Sequence, residues 1–442
     1  MATTPLNSNA ASADSKLAQR VTGPLLFLFI LGDVLGAGIY ALVGELAGAA
    51  GGAIWLPFLA ALVMALFTAG SYAELVTKYP KAGGSAVFAE RAFRHPIVPF
   101  LVGFCMIASG VTSAAGLALA FSGEYLSTFI DIPPTITAVV FLALVAALNA
   151  RGISESVKSN VVMTVIELSG LVLIVVAVAL MVGGGGGDLS RIGQFPEDTN
   201  PALAALSGAI IAFYSFVGFE TSANVAEEVR DPARVYPRAL FGALAVAGII
   251  YLLVGLASSI ALPADELAES SGPLLAVLGA TGLGVPDFVF SLIALIAVAN
   301  GALLTQIMTS RVTFGMSEQG LLPSALGRVL PGRRTPWVAI LATTALAMLL
   351  TLVGDLATLA ETVVLLLLFV FISTNVAVLV LRKDTVDHHH FRVWTAIPIL
   401  GVASCLLLLS QQRPIVWLFG GALLAVGVVL YVITRLVRRR QA

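Results

Sequence analysis

Leu31-Gly32-Asp33-Val34-Leu35-Gly36-Ala37-Gly38-Ile39-Tyr40 interrupts an apolar stretch with three glycines and a carboxylate. A second interruption, Phe213-Tyr214-Ser215-Phe216-Val217-Gly218-Phe219-Glu220-Thr221, falls in the first apolar segment of the second half of the chain. Unwound backbone inside a bilayer persists only where protein or a water-filled cavity satisfies its polar groups. Two such breaks at corresponding positions of two halves point to a binding site near the membrane midplane. Gly-x-Gly spacing also serves close helix packing. A matched pair, one containing Asp33 and the other reaching Glu220, argues for a site instead.

Outward from these breaks, the 442-residue chain is 58% hydrophobic and 11% charged, a composition that excludes a soluble globular domain. A spanning helix needs about 20 apolar residues. Stretches of that size predict an all-α polytopic membrane protein with twelve spans, at 24–48, 52–77, 97–121, 134–150, 157–182, 201–226, 239–262, 287–310, 337–353, 361–381, 394–410 and 415–434. The first span lacks the small-residue cleavage site of a signal peptide. With the N-terminus inside, 22 of the 24 lysines and arginines fall on cytoplasmic loops and tails, leaving Arg191 and Arg413 outside. That bias predicts a multi-pass protein of the cell membrane with both termini cytoplasmic.

Residues 1–20 are rich in Ala, Ser, Thr and Asn and read as a disordered cytoplasmic N-terminus. Spans 1–5 occupy 21–182 and spans 6–10 occupy 201–383. Between them, 183–200 opens with the run Gly183 to Gly187 and reads as a flexible external linker. Spans 11 and 12 and a basic cytoplasmic C-terminus fill 384–442.

The chemistry of the breaks follows from their free backbone groups. Gly32, Gly36 and Gly38 permit angles that other residues resist. Unwinding leaves N–H groups at the start of the half-helix that begins near Ile39, and with the positive dipole end they suit a carboxylate. Free carbonyls at the end of the preceding half-helix suit a cation or ammonium. Both polarities in one place fit a zwitterion. The second break offers the same pairing through Ser215, Phe216, Val217 and Gly218, with Phe213, Tyr214, Phe216 and Phe219 available as aromatic cover.

Asp33 and Glu167 lie deep in spans 1 and 5, and an acid there costs about 2.5–3.5 kcal/mol on insertion scales. Each is a candidate proton carrier or cation ligand. The plainer readings are a cap on unwound backbone for Asp33 and a protonated acid bonded to a neighbouring helix for Glu167. Glu45 and Glu124, near external ends, and Glu74, near a cytoplasmic end, read as interfacial or gating residues. Asn300 and Thr305 in span 8, with Ser109, Thr112 and Ser113 in span 3, either line a cavity or bond backbone carbonyls. Asn375 in span 10 is a weaker candidate.

Cys105 and Cys405 both fall inside spans and read as packing residues. His388-His389-His390 reads as a solvated loop. No catalytic set is present: His-Glu-x-x-His, Gly-x-Ser-x-Gly and a phosphate loop are absent from the sequence. The reading is therefore not an enzyme, with no catalytic residue, metal site or cofactor expected beyond a coupling proton or sodium ion. The basic residues are explained by topology, so nucleic acid is not implied. The expected partners are a small amino acid or amine and the lipid bilayer, with no obligate protein partner.

These motifs resemble those of amino acid–polyamine–organocation (APC) transporters, in the amino acid permease branch. Gly36-Ala37-Gly38-Ile39-Tyr40 is similar to that family's Gly-x-Gly-Ile-Phe signature in helix one. Pro80-Lys81-Ala82-Gly83-Gly84-Ser85-Ala86 resembles the loop after helix two. Phe213 to Glu220, followed by Ala226-Glu227-Glu228-Val229-Arg230-Asp231-Pro232 and Tyr236-Pro237-Arg238-Ala239, resembles the helix-six break and the loop after it. Arg311-Val312-Thr313-Phe314-Gly315-Met316-Ser317-Glu318-Gln319-Gly320-Leu321-Leu322-Pro323 resembles the stretch after helix eight.

The resemblance implies a leucine-transporter fold, with spans 1–5 and 6–10 as inverted repeats and helices 1 and 6 broken. It also implies substrate between spans 1 and 6, its carboxylate on Gly36, Ala37 and Gly38 and its amino group on carbonyls of Phe213, Tyr214 and Phe216. Many proton-coupled relatives carry a lysine in span five, where alignment on Gly152, Glu155-Ser156 and Lys158 places Glu167. A carboxylate there suits taking up a proton or cation.

The leading expectation is a secondary active amino acid permease, a symporter working by alternating access. Its site residues would be Gly36, Ala37, Gly38, Ile39, Phe213, Tyr214, Phe216 and Gly218 for substrate. Asp33, Glu167 and Asn300 would serve coupling, and Ser109, Ser113 and Glu220 the lining. The alternatives are a polyamine or organic-cation transporter or exchanger and, from another class, a non-transporting membrane sensor.

Overall fold

Hydrocarbon offers no partner for backbone N–H and C=O groups, so a chain this apolar closes its hydrogen bonds within helices. The computed structural model describes residues 21–80, 84–151, 156–196, 199–331, 333 and 335–441, with side chains at 37, 156–159 and 437–441 outside the description. The expectation of disorder at 1–20 falls outside the described residues. So do Lys81, Ala82 and Gly83 of the loop motif, and Gly152 and Glu155 of the span-five alignment.

Span 1 is the pair Gly23–Leu35 and Ala37–Ala50, bent by 40°. Spans 2 to 5 are Trp55–Lys78, Ile97–Phe121, Pro134–Arg151 and Ser156–Gly183. Span 6 is Pro201–Phe216 followed by a 3-10 helix, Phe219–Glu228. Pro232–Ala261, Asp287–Glu318, Leu356–Leu381 and Pro414–Gln441 are spans 7, 8, 10 and 12. Among the described residues, nine helices are long and apolar enough to cross a membrane, and the bent pair makes a tenth. Trp337–Leu350 and Ala396–Ser410 occupy the places of spans 9 and 11 but are shorter. At 1.5 Å per residue the first of these is about 21 Å long, less than a hydrocarbon core of about 30 Å. The twelve-span reading therefore depends on these two helices.

Three helices run well beyond their expected limits, two of them for identifiable reasons. Span 7 starts at Pro232, where proline's fixed φ suits a first helical position. Span 10 starts at Leu356 because Asp355 caps it, accepting from Thr358 N at 2.8 Å and Thr358 Oγ1 at 2.7 Å. Span 8 continues to Glu318, carrying Arg311 on the helix.

The glycine-rich linker is fastened in place, contrary to its reading as a flexible coil. Gly186 N donates to Met181 O (2.9 Å), Asp188 N to Ile260 O (2.9 Å), and Trp55 Nε1 to Ile192 O (3.0 Å). Gly187, at φ 73°, makes the turn that brings Asp188 to span 7.

Spans 1 and 6 run through the centre. Span 1 packs on spans 5 and 7, span 2 on spans 6 and 7, and span 3 on spans 8 and 10. Glu74 is buried here and accepts from Arg382 Nε (3.1 Å), Arg382 Nη2 (2.9 Å) and Val393 N (2.9 Å). Lys78 Nζ donates to Leu381 O (2.6 Å) and Asp384 O (2.7 Å). The ends of spans 2 and 10 are thereby tied to the loop that carries His388, whose ring nitrogen lies 3.1 Å from Thr77 O. At the opposite end, Glu124 accepts from Ser270 Oγ (2.8 Å) and Gly272 N (2.9 Å), fixing span 3 to the 7–8 connection.

Candidate functional site

The first break is confined to Gly36, with Asp33 in the last turn of the half-helix before it. The second is at Val217 and Gly218, where Gly218 has φ 124°. A Cβ on Gly218 would lie 2.8 Å from the Asp33 carbonyl oxygen, and one on Gly38 would lie 2.9 Å from Ser215 Cα. The glycines therefore let the two broken helices touch backbone to backbone at two points.

Local side chains explain why span 6 resumes as a 3-10 helix. Glu220 Oε2 accepts the Gly218 N–H (2.9 Å), Ser222 Oγ returns to Phe219 O (2.5 Å), and Asn224 Nδ2 returns to Thr221 O (3.1 Å). Such three-residue bonds compete with the α-helical ladder. The cap on unwound backbone is thus Glu220, whereas Asp33 receives the Thr221 hydroxyl, with the Gly218 carbonyl 2.7 Å from that hydroxyl.

A cavity opens between the breaks and spans 3, 8 and 10, with about 780 Å³ of empty space including its open mouth. Asp33, Gly36, Gly38, Tyr214, Gly218 and Glu220 are on its wall, with Ser109 and Ser113 from span 3. Tyr214 Oη and Ser113 Oγ are 2.9 Å apart. Ser215 also faces the cavity, and its buried hydroxyl has no partner among the described residues.

The side chains of three expected substrate residues point elsewhere, which leaves the expected role of the Phe213 and Phe216 carbonyls untouched. Phe213 packs on Phe371 (ring centroids 6.0 Å apart) and Phe216 on Tyr251 (5.1 Å), so the rings flanking Tyr214 and Ser215 face neighbouring helices. About 100° of helical rotation per residue sends consecutive side chains in different directions. Ile39 is fully buried and absent from the wall. The Ala37 side chain lies outside the described residues.

Glu167 and Asn300 are also off the cavity wall, and they meet each other. Asn300 Nδ2 donates to Glu167 Oε1 (3.0 Å) and Asn160 Oδ1 (3.1 Å), while Tyr40 Oη donates to the Glu167 carbonyl (2.6 Å). Glu167 Oε2 and Asn160 Nδ2 are buried without a partner among the described residues. Span 1 closes on this cluster at Gly32, whose missing side chain makes room for Thr164 and Asn160. Asn375 is used structurally, accepting from Ser71 Oγ at 2.6 Å, and Thr112 bonds Ala108 O at 2.8 Å.

The wall also includes Met106, Gly110, Thr221, Met308, Thr309 and Val312, none of which the sequence reading assigns to the site. The signal was periodicity. Met106, Gly110, Ser113 and Leu117 repeat at three- and four-residue steps along one face of span 3, as do Thr305, Met308 and Val312 on span 8.

A family model described as amino acid permease matches residues 25–436. The chain belongs to that family, within the APC superfamily. It is 26% identical to the branched-chain amino acid permease BcaP of Bacillus subtilis, covering 96% of this chain and 94% of the relative. It is equally 26% identical to the methylthioribose transporter of the same organism, over 97% and 96%. It is 29% identical to the vacuolar cationic amino acid transporter 4 of Arabidopsis thaliana, covering 83% of this chain and 64% of that one. The permease is thus a multi-pass amino acid transporter and not an enzyme. Its helices, broken at spans 1 and 6, fit the leucine-transporter fold of the family.

Proposed function

We propose that the permease is a symporter working by alternating access, with a proton or a sodium ion coupled through Asp33, Glu167 and Asn300. The observation that carries this reading is the Glu167 carboxylate: one oxygen is held by Asn300 and the other is buried without a partner among the described residues. A deep carboxylate with an unused oxygen is suited to gaining and losing a cation or proton, since leaving it charged and bare is costly. Asp33 faces the cavity, and Gly32 beside it rests on the same span-5 turn that leads to Glu167, so substrate and coupling sites adjoin. Substrate carboxylate would bind the backbone at Gly36, Ala37 and Gly38, with its ammonium on the span-6 side. Spans 1–5 and 6–10 would act as the two repeats, with both termini in the cytoplasm.

Uptake of leucine and of lysine into proteoliposomes, with imposed proton or sodium gradients, tests the coupling. Glu167→Gln is expected to abolish accumulation driven by the effective gradient while leaving exchange at equal concentrations. Gradient-driven accumulation at the wild-type level in Glu167→Gln would refute the coupling role.

A second reading, a cationic amino acid or polyamine as substrate, is favoured by one observation. Among the described residues, the cavity wall includes the carboxylates Asp33 and Glu220 and no basic side chain. Competition of labelled lysine by cadaverine and by leucine separates the readings. Cadaverine outcompeting leucine supports the amine reading, and the reverse supports a neutral zwitterion.

A further inference from the structure

We infer that Tyr251, on span 7, is a positioning residue: its hydroxyl sets the spacing of the two half-helix ends that frame the substrate cavity. The phenol lies between Val34 O, at the end of the first half of span 1, and Ser215 O, at the end of the first half of span 6, the latter 2.9 Å away. Both carbonyls belong to the last turn of a helix that stops at mid-membrane, where no following turn supplies an N–H. One hydroxyl from a third helix therefore serves both broken ends.

Tyr251 is fully buried and is not on the cavity wall, so it acts without touching substrate. Its ring is clamped by Phe58 (centroids 5.4 Å apart) and Phe216 (5.1 Å). That clamp fixes the hydroxyl relative to spans 2 and 6, and the hydroxyl in turn fixes span 1 relative to span 6. The same junction also holds Gly38 against Ser215 and Gly218 against Asp33. Tyr251 adds a tie from a third helix. The inference does not depend on which ion is coupled.

Tyr251→Phe keeps the ring and removes the hydroxyl. Reconstituted with labelled leucine and lysine as probes, it is expected to raise KM about tenfold and change Vmax by less than about twofold, the scale of one buried hydrogen bond. The melting temperature should fall slightly, as for one lost buried hydrogen bond, and amide exchange across residues 213–221 should accelerate. Phe58→Leu, which loosens the ring but keeps the hydroxyl, should lower the melting temperature with little effect on KM. A KM within about twofold of wild type in Tyr251→Phe, or unchanged exchange at 213–221, would overturn the assignment. So would a parallel loss of melting temperature and affinity in both variants, since packing alone would then account for the effect.

Discussion

One methyl group on Gly38 should disable substrate binding while leaving the helix that carries it intact. The added Cβ would lie 2.9 Å from Ser215 Cα and 3.0 Å from Ser215 Oγ, closer than the 3.4–4 Å of ordinary contact. The obstacle is backbone, so no rotamer change relieves it. Nor can the first half of span 6 simply retreat, because its end is held against span 1 by the Gly218–Asp33 contact and by the Tyr251 phenol. Overpacking of this kind costs about 1–3 kcal/mol. If the junction absorbs the strain, and the bound state needs the junction closed, affinity falls by about 5- to 150-fold. Gly315→Ala is the control, since its Cβ would meet nothing within 4 Å. Equilibrium binding of labelled leucine and lysine to the purified permease measures both variants. Gly315→Ala should bind like wild type. A Gly38→Ala dissociation constant within twofold of wild type would show that the close approach of spans 1 and 6 does not shape the site.

The two ion pairs linking span 10 to its surroundings should differ in thermal melts. Arg382→Met strands Glu74, whose side chain is only 2% exposed, and should lower stability by about 3–5 kcal/mol. Arg413→Ala also removes the partner of a buried acid, Glu361 at 7% exposed, but the arginine itself is 51% exposed and water can reach the gap, so the cost should be smaller, about 1–3 kcal/mol, and equal losses would mean that burial of the arginine does not set the difference. Glu220→Ala leaves the Gly218 N–H without its acceptor and should cost about 1–3 kcal/mol, whereas Glu220→Gln keeps an amide oxygen there and should cost less. If both variants melt alike, capping is not what Glu220 contributes.

Much of the architecture was legible because it rests on one-dimensional signals. Apolar runs of membrane length became helices, and glycine at Gly36 and Gly218 marked where two of them stop. Residue type was enough to pick out Asp33, Glu167, Asn300, Ser109 and Ser113, because polar groups at that depth need a reason to be there. Roles were harder to read. Asp33 and Glu220 were both visible as acids, yet only coordinates distinguish the one that caps Gly218 from the one that receives Thr221. Residue type offers Phe213 and Phe216 as aromatic cover for a substrate, whereas their rings pack on Phe371 and Tyr251. Their direction depends on the helical phase at the break, and a break resets that phase.

By itself the sequence determined a helical membrane protein interrupted twice, the likeness of those interruptions to permease motifs, and which buried polar residues demand an explanation. Hydrophobicity and glycine are local properties, and the bilayer converts them directly into spans and breaks. Tertiary structure alone decided which carbonyls, hydroxyls and carboxylates meet. Glu167 pairs with Asn300 across 133 positions, and Tyr251 reaches Val34 across 217. Such contacts depend on how helices are rotated and how closely they approach. Here that approach is set by the absence of side chains at Gly32, Gly38 and Gly218.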